Sequence, residues 1–221
     1  MDAAVEEWLK LPDPEPAVDP DPATVASILK DLNREPTARL SQVFLYDDAG
    51  SRLYEEITRT PEYYLTSKED ELLQQHAADI AQCSQQHPIS PPSAARTQVV
   101  IELGAGEGQK TMRLLRAMAP LAARTIYAPI DVSAEALESN AATAAPLQAD
   151  GRFDTQPFLG RFEDAIPRAA ALPGKKLYLF LGSSLGNYSD SECAELLALV
   201  AKHMDASNGD RFLIGVDTPH S

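Results

Sequence analysis

The chain has 221 residues, with 19 Lys plus Arg against 33 Asp plus Glu, for a formal charge of −14. That length can bury a core without disulfide staples, and 44% hydrophobic with 24% charged residues is a folded composition that argues against global disorder. An acidic balance without any basic run speaks against nucleic acid and anionic membrane surfaces as partners, and no apolar run approaches the ~20 residues that span a bilayer. The N-terminal MDAAVEEWLKLPDPEP carries neither a basic n-region nor an apolar h-region, and the two cysteines, Cys83 and Cys193, form no zinc-type set. A cytoplasmic protein with two buried helical thiols is the expectation.

Residues 1–36 read as a Pro/acid-rich arm. Pro12, Pro14, Pro16, Pro20, Pro22 and Pro36 fix φ and remove backbone donors, so most of the stretch resists regular structure. Trp8 is a candidate anchor for a short helix, and Asp21-Pro22 reads as a helix start leading into VASILKDLN. Residues 37–95 read as a helical part. Asp48-Ala-Gly50-Ser51 is expected as a turn, followed by a helix over SRLYEEIT with Leu53, Tyr54 and Ile57 at helical spacing. Thr60-Pro61 breaks it; Thr66 or Ser67 is the expected cap of a long helix, SKEDELLQQHAADIAQ, and residues 88–95 are a linker.

From residue 96 the pattern becomes α/β. TQVVIEL has the continuous hydrophobicity of a buried parallel strand. Further strands are expected at TIYAPIDV, near RFDTQPFLG, at KKLYLFLGS and at DRFLIGVDT, with the helices KTMRLLRAMA, SAEALESNAATAA, EDAIPRAAAL and SDSECAELLALVAKHM between them. This alternation implies a Rossmann-like sheet of five parallel strands with helices on both faces, spanning 96–221.

The strongest local chemistry lies in Glu102-Leu-Gly104-Ala-Gly106-Glu-Gly108, between a strand and a helix. Glycines there let the backbone turn tightly and approach a ligand closely. The spacing is GxGxG, which departs from the dinucleotide fingerprint, and the GK[ST] of a phosphate loop is absent. A plain strand-to-helix turn remains the bland alternative. Asp131, ending the next strand, suits the two hydroxyls of a ribose; its alternative role is an N-cap, for which Ser133 is better placed. A glycine loop with a strand-end acid and no pyrophosphate fingerprint favours S-adenosylmethionine over NAD. Glu102 is a candidate for orienting the loop. Lys110 is a candidate partner for the ligand carboxylate, or else a solvated helix-start lysine. His76, His87, His203 and His220 are scattered and read as surface or boundary residues, so no metal is expected.

The chain resembles the histidine-specific S-adenosylmethionine-dependent methyltransferases, the first enzymes of ergothioneine synthesis, which trimethylate the α-amino nitrogen of L-histidine to hercynine. The likeness runs through YDDAGSRLYEEITRTPEYYLT, ELGAGEGQKT, IDVS, LFLGSSLGNYS and GVDT. It implies a class I methyltransferase fold. It places Gly104, Gly106, Lys110 and Asp131 at the cofactor and Phe162 against the adenine; Arg161 stands where the family carries an acid for the adenine amino group. Tyr63 and Asn187 match positions that contact the amino-acid substrate, and Tyr46 and Gly182 line the same site. On chemistry alone, Tyr63 and Asn187 suit an amine or carboxylate, while a packing aromatic and a turn residue are their bland alternatives.

The usual methyltransferase sheet has seven strands, the last two forming a hairpin, and the family carries a further substrate-binding portion after GVDT. The resemblance therefore implies a missing C-terminal segment or a second chain that completes the site, with weak cofactor binding and poor or no methylation expected of this chain alone. Two other readings stay open: a methyltransferase of another amine, such as a prenylated tryptophan, and a non-catalytic binding module of the same fold.

Overall fold

The computed structural model describes residues 22–33, 37, 38, 40, 48–85 and 97–218. Trp8, Tyr46, most of the Pro-rich arm and the linker at 88–95 lie outside the described residues. The chain divides into two compact units, Met1–Phe44 and Leu45–Ser221. In the first, helix α1 (Pro22–Leu32) starts on Pro22, whose missing N–H would have had no intrahelical acceptor there.

The second unit begins with α2 (Asp48–Thr58) and α3 (Tyr64–Gln85). Both start earlier than the sequence suggests. The DAGS segment expected as a turn is the first turn of α2, where the amides have no intrahelical acceptor in any case and Gly50 costs less than in the helix interior. Thr66 and Ser67 lie inside α3 and do not cap it; the Ser67 hydroxyl donates to the carbonyl of Tyr64 at 2.8 Å. The break at Thr60-Pro61 is present, closed by the Thr60 hydroxyl donating to the carbonyl of Ile57 at 2.8 Å.

The remaining elements alternate. They are β1 (Thr97–Leu103), α4 (Thr111–Met118), β2 (Arg124–Asp131), α5 (Ala134–Ala144), β3 (Phe153–Thr155), β4 (Phe158–Leu159), α6 (Phe162–Ala170), β5 (Lys175–Phe180), α7 (Asp190–His203) and β6 (Arg211–Ile214). All strand pairs are parallel and the order is β3-β2-β1-β5-β6, with β4 also on β2. The expected third strand is thus split. Pro157 has no amide hydrogen to continue the ladder, so β3 pairs the first half of β2 and β4 pairs its end.

β1 is buried from Gln98 onward because it is central and covered on both faces. Val100, Tyr127, Leu177 and Leu179 face Leu73 and Ala81 of α3 and Leu114, Leu115 and Met118 of α4. Val99, Ile101, Ile126, Ala128, Tyr178 and Phe180 face Ala165, Ile166 and Ala169 of α6 and Leu196 and Val200 of α7. The chain runs outward from β1 to β2 and β3, then returns to β5 on the other side of β1. This reversal opens a crevice at the carboxyl ends of β1 and β5, where ligands of open α/β sheets bind.

Cys83 is exposed and Cys193 half-buried, contrary to the expected pair of buried thiols; the position of Cys83 on α3 falls off the inward stripe of Leu73, Ala77, Ala81 and Ser84. α7 opens with a capping box, the Ser189 hydroxyl accepting from the Glu192 amide while the Glu192 carboxylate accepts from the Ser189 amide. Ser189→Ala should therefore destabilise the fold by about 1 kcal/mol, measured as a lower urea midpoint at unchanged slope.

Candidate functional site

The glycine loop leaves β1 with Gly104, Gly106 and Gly108 at φ of 64°, 51° and 71°. An L side chain is strained at such angles, and a Cβ on Gly108 would also overlap the Asn140 amide. The loop is tied to the end of β2: the amides of Gly104 and Ala105 donate to the carbonyl of Ile130 at 2.9 and 3.1 Å. Asp131 completes the tie. Its Oδ2 accepts from the Gly106 amide at 2.9 Å and its Oδ1 from the Ser133 amide at 3.0 Å. Ser133 is the N-cap of α5, accepting from Ala136 at 3.1 Å, so Asp131 is not needed for that task.

A buried polar chain supports the loop from below. Glu102 is 4% exposed and accepts from the hydroxyls of Thr111 and Tyr127. Asn140 donates to the Tyr127 hydroxyl at 3.0 Å and to the Gly106 carbonyl at 3.1 Å. Burial drives the Glu102 carboxyl up to about 7, against the two hydroxyl donors and Lys110, which pull it down. The suggestion that Glu102 orients the loop thus acquires a route, through Tyr127 and Asn140 to the Gly106 carbonyl.

Lys110 stands at the start of α4 and its ammonium pairs with Glu69 of α3. Glu69 in turn accepts from the Gly182 amide through Oε1 at 2.8 Å and Oε2 at 3.0 Å. Two of the sequence-derived positions, Lys110 and Gly182, therefore meet on a carboxylate that motif reading did not single out. The signal was present. Glu69 lies four residues before Leu73 on the stripe continued by Ala77 and Ala81, a charge on the buried face of a helix. Asn140 carries the same kind of signal, lying between Leu137 and Ala144 on the buried face of α5.

After β5 the backbone turns through Gly182 (φ 81°) and Ser183 (φ 55°), the latter the sole non-glycine residue with positive φ among the described residues. A serine held there costs about 1 kcal/mol or more, a strain characteristic of binding loops. Asn187 ends the short 3-10 turn that follows and is exposed. Phe162 opens α6 and packs edge-on against Phe180, with centroids 6.0 Å apart, and a Cβ on Gly104 would lie 4.0 Å from its Cζ. Arg161 is the exposed N-cap residue of α6 and makes no side-chain capping bond.

Tyr63 lies between α2 and α3, its hydroxyl 3.2 Å from that of Tyr54 and the two rings T-shaped at 6.0 Å. Next to it, the Tyr64 hydroxyl donates to Asp217 at 2.8 Å, which joins the PEYY segment to GVDT after β6. No group of His, Cys, Asp and Glu suited to a metal ion occurs among the described residues. Among the same residues no helix is long and apolar enough to cross a membrane.

A parallel doubly wound sheet, a glycine loop and a carboxylate at the end of β2 make up a candidate nucleoside site of the kind that open α/β sheets carry at their carboxyl edge. Residues 24–221 match the family described as histidine-specific methyltransferase, SAM-dependent, and the chain belongs to that family. It is 35% identical over 177 residues to a histidine N-alpha-methyltransferase of Mycobacterium tuberculosis (strain CDC 1551 / Oshkosh), covering 79% of this chain and 49% of that protein. It is 33% identical to the enzyme of the same name from Mycolicibacterium smegmatis (strain ATCC 700084 / mc(2)155), with the same 79% and 49% coverage. A third relative, 32% identical, is ergothioneine biosynthesis protein 1 of Neurospora crassa, of which 19% is covered by 81% of this chain. The chain thus spans about half the length of the two bacterial relatives.

Proposed function

We propose that the chain carries the cofactor-binding part and a share of the amino-acid site of an N-methyltransferase that acts on the α-amino group of L-histidine, with hercynine as the trimethylated product. The observation that supports this best is the gathering of the loop glycines, Lys110, Asp131, Phe162 and Gly182 at the carboxyl edge of one sheet, in a chain of the histidine-specific family.

The residues fit the cofactor. The Asp131 carboxylate suits a ribose diol, Phe162 offers an apolar face beside Gly104, and Lys110 offers a cation for the amino-acid end. Bound S-adenosylmethionine supplies a methyl group already activated by its sulfonium charge. The protein's task is then to hold a neutral amine in line with that methyl and to exclude water, a task that requires no strong general base. Tyr63 and Asn187 are the proposed contacts to the amino-acid substrate, with Gly182 and Tyr46 lining the site. Arg161, in place of an acid, is proposed to frame the adenine through its backbone and stem. Residues 1–36 are proposed to form an arm and 37–95 the helical part that contributes to the substrate site, and a cytoplasmic location is proposed for the reaction.

The test is a methyl-transfer assay of the 221-residue chain over L-histidine, its mono- and dimethyl forms and tryptophan derivatives. Methylated histidine as the preferred product is expected. Preference for a tryptophan derivative would reassign the substrate, and no heat on calorimetric titration with S-adenosylmethionine at millimolar concentration would favour a binding module.

A further inference from the structure

Glu69 is the least explained charge at the crevice. Its side chain is 14% exposed, and that of Lys110 is 25% exposed. Three segments other than its own helix are arranged around it. Gly182 gives it an amide; Lys110 gives it an ammonium; and a Cβ on Gly215, just past β6, would overlap its Oε1. Glycine at 215 therefore leaves room for this carboxylate at the ends of β5 and β6.

A stapling role does not account for the arrangement. The neighbouring residue Asp70 already fastens α3 to α4 through a two-pronged pair with Arg113, at 2.6 and 2.7 Å. Glu69 sits nearer the loop, at the sheet's carboxyl edge, where even a half-buried ion pair loses hydration that a ligand or a fixed geometry must offset. A carboxylate offers about four lone-pair positions, and the contacts with Gly182 and Lys110 use three of them. Lys110 has three donor hydrogens, of which Glu69 takes one. An anion and a cation held side by side, each with capacity to spare, match the zwitterionic end of an α-amino acid.

We propose that Glu69 is a cofactor-binding residue, its carboxylate receiving the α-ammonium of the methionine end of S-adenosylmethionine while Lys110 takes the α-carboxylate. The assignment deepens the cofactor reading above and rests on it. It places α3, the helix that follows Tyr63, in direct contact with the cofactor, so that the substrate side and the cofactor side share one ion pair.

The experiment is calorimetric titration of the full chain and of Glu69→Gln and Lys110→Met with three ligands. S-adenosylhomocysteine has both charges of the amino-acid end; decarboxylated S-adenosylmethionine keeps only the ammonium; 5′-methylthioadenosine has neither. Gln keeps an acceptor for the Gly182 amide, so a purely structural role of that bond survives the change. Glu69→Gln is expected to weaken the first two ligands by about 30-fold and to leave 5′-methylthioadenosine within about twofold. Lys110→Met is expected to weaken S-adenosylhomocysteine and spare the decarboxylated compound. Equal loss of all three ligands in Glu69→Gln, or loss of none, overturns the assignment. If the unaltered chain binds 5′-methylthioadenosine as tightly as S-adenosylhomocysteine, the nucleoside site stands and the assignment fails. If it binds no ligand of the three, the cofactor reading fails and the assignment with it.

Discussion

Asp131→Ala should weaken S-adenosylhomocysteine binding by at least about two orders of magnitude while changing the fold's stability little. Two effects add. A carboxylate accepting from two ribose hydroxyls makes charge-assisted bonds, each of roughly 1.5–3 kcal/mol in a site that excludes water. The same carboxylate holds the Gly106 amide at 2.9 Å, so its loss also frees the loop that must pass close to the ligand. Stability falls by only about 1 kcal/mol, from the lost bonds to the Gly106 and Ser133 amides, because Asp131 is half-buried and the α5 cap itself rests on the Ser133 hydroxyl. Asp131→Asn separates the two effects: one amide oxygen can keep the Gly106 tie, yet the negative charge is gone. Titration should rank the binding constants wild type, Asn, Ala, with melting temperatures close together. A melting temperature that falls in step with affinity would show that Asp131 acts on the fold rather than on the ligand.

Much of this site could be read from the sequence because its chemistry is local. The GxGxG loop, Lys110 and Asp131 sit directly after strands whose apolar runs mark them, and strand order in a βαβ unit brings those ends to one edge. Tyr63, Asn187 and Gly182 came from longer motif blocks in the family resemblance. Glu69 and Asn140 were missed because each acts across the fold, 41 residues from Lys110 in one case and 34 from the Gly106 carbonyl in the other. Their only trace is a polar residue on an inward helical stripe, a pattern that competes with many ordinary boundary positions. The element boundaries that moved are explained locally. α3 begins at Tyr64 because, in α3, Ser67 bonds back to a carbonyl instead of forward to an amide, and the third strand breaks where Pro157 lacks a donor.

Glu102 gives the second large effect, in the dependence of stability on pH. Its ordinary value is 4.5, and in the folded protein burial lifts it to about 7. Between those values the folded state keeps a proton that the unfolded chain releases, so stability falls as pH rises through the window. The contribution is fully present below 4.5, declines toward about 7, and is absent above it, a span on the order of 3 kcal/mol. Asp70, Asp150 and Asp205 are held below their ordinary 3.8 and act in the opposite sense. Their contributions are lost only at more acid pH, outside the Glu102 window. Glu102→Gln removes the titration while nearly keeping the shape: its carbonyl can accept from one hydroxyl of Thr111 and Tyr127 while its amide donates to the other. Urea midpoints measured from pH 4.5 to 8 should therefore fall for the wild type, and the Gln variant should gain on it steadily up to about pH 7. Parallel profiles for the two proteins would mean that the carboxyl ionises in the folded state as freely as in water. The buried chain from Thr111 through Tyr127 and Asn140 to the Gly106 carbonyl would then hold a charge, and the loop above it would rest on an ionic foundation at every pH rather than a neutral one below about 7.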